Sequence, residues 1–97
     1  MLTSKQRAYL KSIAAGLEPV FQIGKGGIND AQVAQIDDYL RAHEIIKIKC
    51  LDNSLYTSAE AAREIAERIG AEVVITIGSK AVLYKRNPEK PVIDVNV

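Results

Sequence analysis

Residues 19–30 read PVFQIGKGGIND, an apolar run followed by a glycine-rich segment and an Asn-Asp pair. The apolar run predicts a strand, and Asn29 is a favoured N-cap for a following helix. Residues 24–27 therefore form a strand-to-helix loop with Lys25 at its tip. Glycines let backbone N–H groups face outward, and a helix start adds unpaired N–H groups and partial positive charge. This combination suits a phosphate, and G-x-x-G spacing occurs in modules that clamp an RNA backbone.

A bare G-x-x-G segment has two interpretations, a tight turn without a ligand or a phosphate-binding loop, and the spacing alone favours the turn. The dinucleotide-binding pattern G-x-G-x-x-G needs glycine at position 29, where Asn29 stands. The P-loop pattern G-x-x-x-x-G-K-S/T is absent. The sequence therefore predicts no nucleotide cofactor, and no cofactor of another kind is indicated.

The composition is that of one folded domain. The chain has 97 residues, an apolar fraction of 47% and a net charge of +1, so overall charge does not indicate a nucleic-acid binder. No apolar run approaches the roughly 20 residues of a membrane span, and the first residues lack a signal-peptide pattern. The single Cys50 fits a reducing compartment. We expect one cytoplasmic domain over residues 1–97, with an extended tail from about residue 87.

Hydrophobic periodicity and turn signals predict an α-β-α-β-α-β-β order. Gln32 stands in capping-box spacing after Asn29, and Thr57 and Glu60 show the same spacing. Right-handed crossovers place the second and third helices on one sheet face, and a Gly78-Ser79 turn makes the last strand antiparallel. The expected fold is a two-layer α+β domain with a mixed four-stranded sheet. Its predicted elements are helix 4–16, strand 19–23, a helix capped by Asn29, strand 45–51, helix 58–69, strand 73–77 and strand 80–86.

Charge segregates along this order. Residues 29–44 carry −3 and residues 57–72 carry −2, which leaves +6 for the rest of the chain. The topology brings Lys25, Lys49 and Lys80 towards one rim of the sheet, and the first helix adds basic groups if it docks alongside. The predicted RNA-binding residues are Gly24, Lys25, Gly26, Gly27, Asn29, Arg7, Lys11, Lys47, Lys49, Lys80, Lys85 and Arg86.

Four segments, in this order and spacing, resemble the CRM domain family in its stand-alone bacterial (YhbY-type) form. They are the L-T-x-x-Q-R-x-x-L opening at residues 2–10, the strand–loop–helix unit 20–40, EIIKIK at 44–49 and GSKAVLYKR at 78–86. The resemblance implies a fold similar to the C-terminal domain of translation initiation factor three. It also implies RNA binding through the loop at residues 24–27, and association with precursors of the large ribosomal subunit.

We therefore expect a non-catalytic RNA-binding protein that assists ribosome assembly. Its partners would be ribosomal RNA in a large-subunit precursor and ribosomal proteins, and no membrane. With no Trp, one Phe and four Tyr, the chain favours recognition of RNA shape and backbone over extended base stacking, and Tyr84 is expected in the core. The single His43, a Cys50 on an apolar face and the lack of a metal-ligand cluster argue against an enzyme. The alternative is an adaptor that docks on ribosomal proteins through acidic helix faces.

Overall fold

The computed structural model describes residues 2–89, 91 and 93, so most of the predicted tail (residues 90, 92 and 94–97) lies outside the described part. The predicted element order is confirmed, although α1 and the last strand each end two residues before their expected bounds and the first strand begins two residues after its expected start. The elements are α1 (Ser4–Ala14), β1 (Phe21–Ile23), α2 (Asp30–His43), β2 (Ile45–Cys50), α3 (Ser58–Ile69), β3 (Glu72–Ile77) and β4 (Lys80–Tyr84).

The four strands form one mixed sheet in the spatial order β1-β2-β4-β3. β1 pairs parallel with β2, whereas β4 pairs antiparallel with both β2 and β3. β2 and β3 therefore run in the same direction without pairing, because β4 lies between them. One cross-strand row runs through Gln22, Lys49, Lys80 and Ile77. The α+β fold with a mixed four-stranded sheet is confirmed.

The main core lies between the sheet and helices α2 and α3, which share one sheet face as expected. Ile46, Ile48 and Cys50 alternate along β2 towards these helices and are buried. Burial of each large aliphatic side chain contributes about 1.5–3 kcal/mol. Cys50 lies in this apolar core, and its burial raises the pKa of the thiol above its usual value. The other large side chains of the core are Ile23, Ile36, Leu40, Ile65 and Leu83.

Helix α1 packs on the opposite sheet face, so it adds a third layer to the two layers expected from the sequence. Its Leu10 and Ala14 join a second cluster with Ile45, Val82 and Tyr84, so Tyr84 lies in the core as expected. These contacts involve the beginning of β2 and the end of β4. Within the part of the chain that the structure describes, no helix covers the region of this face nearer the glycine loop.

One α1 side chain also fastens this helix to the edge of the sheet. Arg7 Nη1 donates to the carbonyls of Val73 and Val74, at 2.9 Å from the latter. The pairing of β3 with β4 is irregular between Val73 and Ile75, and this irregularity coincides with the Arg7 contact. Arg7 thus binds carbonyl oxygens of the edge strand β3 that the pairing of β3 with β4 leaves without a partner.

The helix ends follow the predicted capping residues. Thr57 and Glu60 form a reciprocal capping box at the start of α3. At α2, the Asn29 side chain accepts from the Gln32 backbone N–H at 2.8 Å. The Gln32 side chain does not complete a capping box, because its Nε2 donates to the Gln22 carbonyl on β1 at 2.9 Å. That bond ties the first turn of α2 to the strand before the loop.

Glu44 is the C-cap residue of helix α2; it is fully buried and has a left-handed backbone with φ of +65°. Its two carboxylate oxygens accept from the backbone N–H groups of Asn87 and Ile93, each at 2.6 Å. Its carbonyl accepts from Lys85 N at 2.9 Å. A single buried carboxylate therefore fastens the chain after β4 to the end of α2.

Candidate nucleic-acid interface

The glycine loop between β1 and α2 is a tight turn closed by its own backbone. Gly27 N donates to Gly24 O at 3.0 Å, and Lys25 and Gly26 are exposed at the tip. Asn29 caps the helix two residues after Gly27. The loop thus presents a lysine and a glycine next to the unpaired N–H groups of a helix start.

Three connections meet at the end of the sheet that carries the glycine loop. They are residues 24–27, 51–57 and 78–79, and we call this region the glycine rim. Leu51 N donates to Ile23 O at 2.8 Å, and Cys50 N donates to Ser79 O at 2.7 Å. Ser58 Oγ donates to Gly78 O at 2.8 Å. These bonds hold the loops in fixed positions relative to one another.

Two neighbouring glycines of the loop have different roles. Gly27 has φ of +73°, and a Cβ built there would lie 3.4 Å from the Tyr56 ring. Gly26 does not have a left-handed backbone, and a Cβ built there would meet no atom within 4 Å. Gly27 is therefore required by the turn itself. Gly26 is dispensable for the turn, and its lack of a side chain leaves the backbone open to a ligand.

Lys49 and Lys80 lie directly opposite one another on β2 and β4, beside the rim and on the uncovered sheet face. Like charges in opposed strand positions are destabilising. Within residues 2–89, 91 and 93, neither ammonium group has an ion pair or a hydrogen bond, and the same holds for Lys25. The three lysines outnumber Asp52, the one acidic residue in the three rim connections, so this end of the molecule has a local excess of positive charge.

The remaining predicted basic residues are not all part of this group. Lys47 shares the face of Lys49, and its Nζ donates to the Leu17 carbonyl at 3.0 Å. Lys85 contacts Asp37 at 2.9 Å and points to the α2 side, at the far end of β4. Arg86 is exposed beyond that end, and Lys11 is exposed on α1. Arg7 binds the β3 backbone, as described above.

A family model described as the CRS1/YhbY (CRM) domain matches residues 2–85. The chain belongs to the CRM domain family. The Bacillus subtilis protein YqeI, whose name calls it a probable RNA-binding protein, is 40% identical over 98% of this chain and 99% of its own length. A Haemophilus influenzae protein named RNA-binding protein is 34% identical, covering 91% of this chain and 89% of its own.

The solution structure of SAV1595 from Staphylococcus aureus is 44% identical to this CRM domain, with a TM-score of 0.65. The match covers 92% of this chain and 96% of the S. aureus chain, so the similarity extends over nearly the whole fold. Both curated relatives are thus RNA-binding proteins by name, and the arrangement of strands and helices is shared with the solved S. aureus protein.

Two further structural findings concern the described residues of the CRM domain. None of its helices has the length and apolarity needed to cross a membrane. Within the same residues, no group of three or more His, Cys, Asp and Glu side chains is arranged to hold a metal ion.

The sequence reasoning missed one part of this surface. Ile75 and Ile77 of β3 lie beside Lys80 and Val82 of β4 on the uncovered face of the CRM domain, and Ile77 is 66% exposed. The signal was present in β3, where aliphatic residues occupy both alternating positions instead of one. A strand with this pattern is expected to be buried on both faces, although α1 covers only part of the second face of β3.

Proposed function

We propose that this CRM domain binds RNA at the glycine rim, with Lys25, Lys49, Lys80 and the backbone of the glycine loop on the phosphates. The observation that carries the proposal is the cluster of three uncompensated lysines beside a loop whose Gly26 backbone is open. The names of the relatives support RNA as the ligand. Lys47 adds charge to the adjoining sheet face.

In this mechanism, the protein changes no covalent bond. Backbone N–H groups of residues 25–27 and of the first turn of α2 donate to phosphate oxygens, and the lysines attract and orient the RNA. Because the net charge is only +1, binding depends on local charge and weakens steeply with salt. Gly26 matters because a phosphate must approach the backbone closely to accept these bonds.

We further propose that the bound RNA is ribosomal RNA in a precursor of the large subunit, and that binding assists assembly. The resemblance to stand-alone bacterial CRM proteins motivates this step. Crosslinking in cells followed by RNA sequencing tests it, with Lys25→Ala as the matched variant. We expect large-subunit precursor RNA to be enriched with the wild type and reduced with the variant. Enrichment of unrelated RNA alone would overturn this assignment.

The RNA site itself is tested with purified protein and RNA at several salt concentrations. Lys25→Ala is expected to weaken binding and to reduce the slope of log K against log salt by about 0.7–0.9, the value for one phosphate contact. Lys85→Ala is the matched control, because that lysine already pairs with Asp37 on the other sheet face. Equal slopes in the two folded variants would contradict the site.

Gly26→Ala tests the backbone contact separately from charge. The variant is expected to fold, since the position has open space, and to bind RNA about tenfold more weakly. That factor corresponds to roughly 1.5 kcal/mol for one lost hydrogen bond to a charged group. Wild-type affinity in this variant would show that the loop backbone does not hold phosphate.

The alternative function, docking on basic proteins through acidic helix faces, has less support. Asp37 and Asp38 contact Arg41, and Asp30 and Glu64 contact Arg68. These pairs compensate part of the acidic charge within α2 and α3. Charge reversal at Asp37 and Asp38 separates the functions, since it should spare binding to naked RNA if the glycine rim is the site.

A further inference from the structure

The uncovered part of the α1-side sheet face contains a groove next to the glycine rim. The groove has a cavity of about 200 Å³ lined by Lys47, Ile75, Ile77, Lys80 and Val82. Val82 forms the buried floor, and Ile77 is 66% exposed at one side. We call this feature the sheet groove. An isoleucine this exposed beside an aliphatic floor is a surface on which another apolar group can pack.

The charged residues that line the sheet groove are both lysines. Lys47 and Lys80 line it, and Lys49 stands opposite Lys80 in the same cross-strand row. Among the described strand positions of this uncovered part, the other members are Gln22 and aliphatic residues, with no carboxylate. An occupant of this groove must therefore combine an apolar surface with negative charge.

We propose that the sheet groove accepts one unpaired nucleoside of the RNA whose phosphates are held at the glycine rim. This inference rests on the proposed RNA-binding function and specifies its substrate, namely RNA with an unpaired nucleotide instead of an uninterrupted duplex. The base packs on Ile77 and Val82, and the neighbouring phosphates contact Lys49 and Lys80. The small cavity suits one base, since pockets for larger organic ligands measure about 300–1,000 Å³.

The spacing along the cross-strand row, which runs from Gln22 through Lys49 and Lys80 to Ile77, supports this arrangement. From Gln22 beside the glycine loop to Ile77 there are three strand-to-strand steps of about 4.8 Å, or about 14 Å in total. An RNA strand that crosses the sheet along this row passes from the loop over Lys49 and Lys80 to Ile77. Its phosphates therefore stay on cations while one base reaches the aliphatic side of the groove.

An acidic polypeptide is the competing occupant, because it also combines apolar groups with negative charge. RNA is favoured because the lysines of the sheet groove continue the uncompensated positive charge of the rim, where the open Gly26 backbone suits a phosphate. On β3, Arg7 already occupies the Val73 and Val74 carbonyls, which reduces the edge available for a polypeptide strand to pair with.

The test compares two labelled RNA hairpins that differ by one bulged nucleotide in an otherwise continuous stem. Wild-type protein is expected to bind the bulged hairpin about fivefold more tightly, which equals the low end of the contribution of one base stacked on an aromatic ring. Ile77→Ser is expected to bring this ratio close to one and to leave affinity for the continuous stem unchanged. Ile77→Tyr, which offers a larger flat surface, is expected to keep or raise the ratio.

Val20→Ser is the matched control, because Val20 is also an exposed β-branched residue but does not line the sheet groove. It should keep the wild-type ratio, and circular dichroism and thermal denaturation establish that each variant is folded. An equal loss in both serine variants overturns the assignment of the base to Ile77.

The remaining outcomes separate this inference from the function on which it rests. Equal wild-type affinity for both hairpins, with salt-dependent binding retained, overturns the nucleoside site and leaves the RNA function standing. Absence of binding to either hairpin overturns both. If Ile77→Ser abolishes binding of a labelled Glu- and Leu-rich peptide and leaves both hairpins unaffected, the groove belongs to a polypeptide and the inference is wrong.

Discussion

The two ends of the sheet use charged residues in opposite ways. At the end formed by Glu44, Lys85 and the last turn of α2, charges are compensated: Lys85 contacts Asp37, and Glu44 accepts two backbone N–H groups. At the glycine rim, Lys49 and Lys80 stand opposite each other with no acidic partner among the residues described. Charged side chains are therefore paired with other groups at one end of the sheet, whereas Lys49 and Lys80 at the other end have no such pairing.

The largest effect on stability is expected at the compensated end, from Glu44→Ala. The change removes the acceptor of the Asn87 and Ile93 N–H groups in a buried position, and an unsatisfied buried donor costs about 1–3 kcal/mol. We expect the free energy of unfolding to fall by about 2–4 kcal/mol in urea titrations. Glu44→Gln keeps one oxygen acceptor and should lose less. A loss below about 0.5 kcal/mol for the alanine variant would mean that this carboxylate does not fasten the chain.

A smaller loss is expected at the glycine rim from Gly27→Ala. The left-handed backbone at Gly27 penalises a side chain by roughly 1–2 kcal/mol. Gly26→Ala is the matched control, since it should be neutral or stabilise the protein by up to about 1 kcal/mol by restricting the unfolded chain. Chemical denaturation of the two variants measures the difference. Equal destabilisation of both would contradict the separate roles given to the two glycines.

The next comparison uses one lysine from each end. Lys80→Ala is expected to raise stability by about 0.2–1 kcal/mol, because it removes a like charge opposite Lys49. Lys85→Ala is expected to lower stability by about 0–1 kcal/mol, since its ion pair with Asp37 is only partly shielded from solvent. Thermal denaturation at low salt measures both signs. If Lys80→Ala destabilises the protein as much as Lys85→Ala, the two ends do not differ as described.

The smallest effect concerns the start of α3, next to the rim. A hydrogen bond from the Thr57 backbone N–H lowers the pKa of the exposed Glu60 carboxyl below its usual value. The ionised Glu60 carboxyl therefore contributes its full stabilisation above the pKa that it has in the unfolded chain. This contribution is lost as the pH falls through the lower pKa that the carboxyl has in the folded protein. Glu60→Gln should show a slightly shallower loss of melting temperature between neutral and acidic pH. Identical pH profiles would show that this cap does not contribute.

Local patterns in the sequence were sufficient for the elements and for most caps. The Thr57–Glu60 box and the buried alternation of Ile46, Ile48 and Cys50 follow directly from spacing. The position of β4 between β2 and β3 did not follow, because a hairpin signal pairs β4 with β3 and leaves open which strand neighbours β2. The order of the strands in the sheet depends on pairing between residues that are distant in sequence, and a local sequence pattern does not determine this pairing.

The candidate site was only partly predictable for the same reason. The G-x-x-G loop and the Lys49–Lys80 neighbourhood follow from motif and topology, whereas Arg7 binds carbonyls exposed by an irregularity in β3 that no local pattern announces. Lys85 is different, since its odd separation from Lys80 along β4 places it on the other sheet face by the period of a strand. The predicted set of RNA-binding residues therefore includes side chains on both sheet faces.

The interior position of β4 determines when the sheet can be completed during synthesis. β4 is the fourth strand along the chain, yet it lies in the interior of the sheet and pairs with both β2 and β3. During translation, β3 therefore has no ladder partner until residues 80–84 have left the exit tunnel. The nascent polypeptide must carry an incomplete sheet until then, so the surface beside Lys49 and Lys80 is completed only after β4 has emerged.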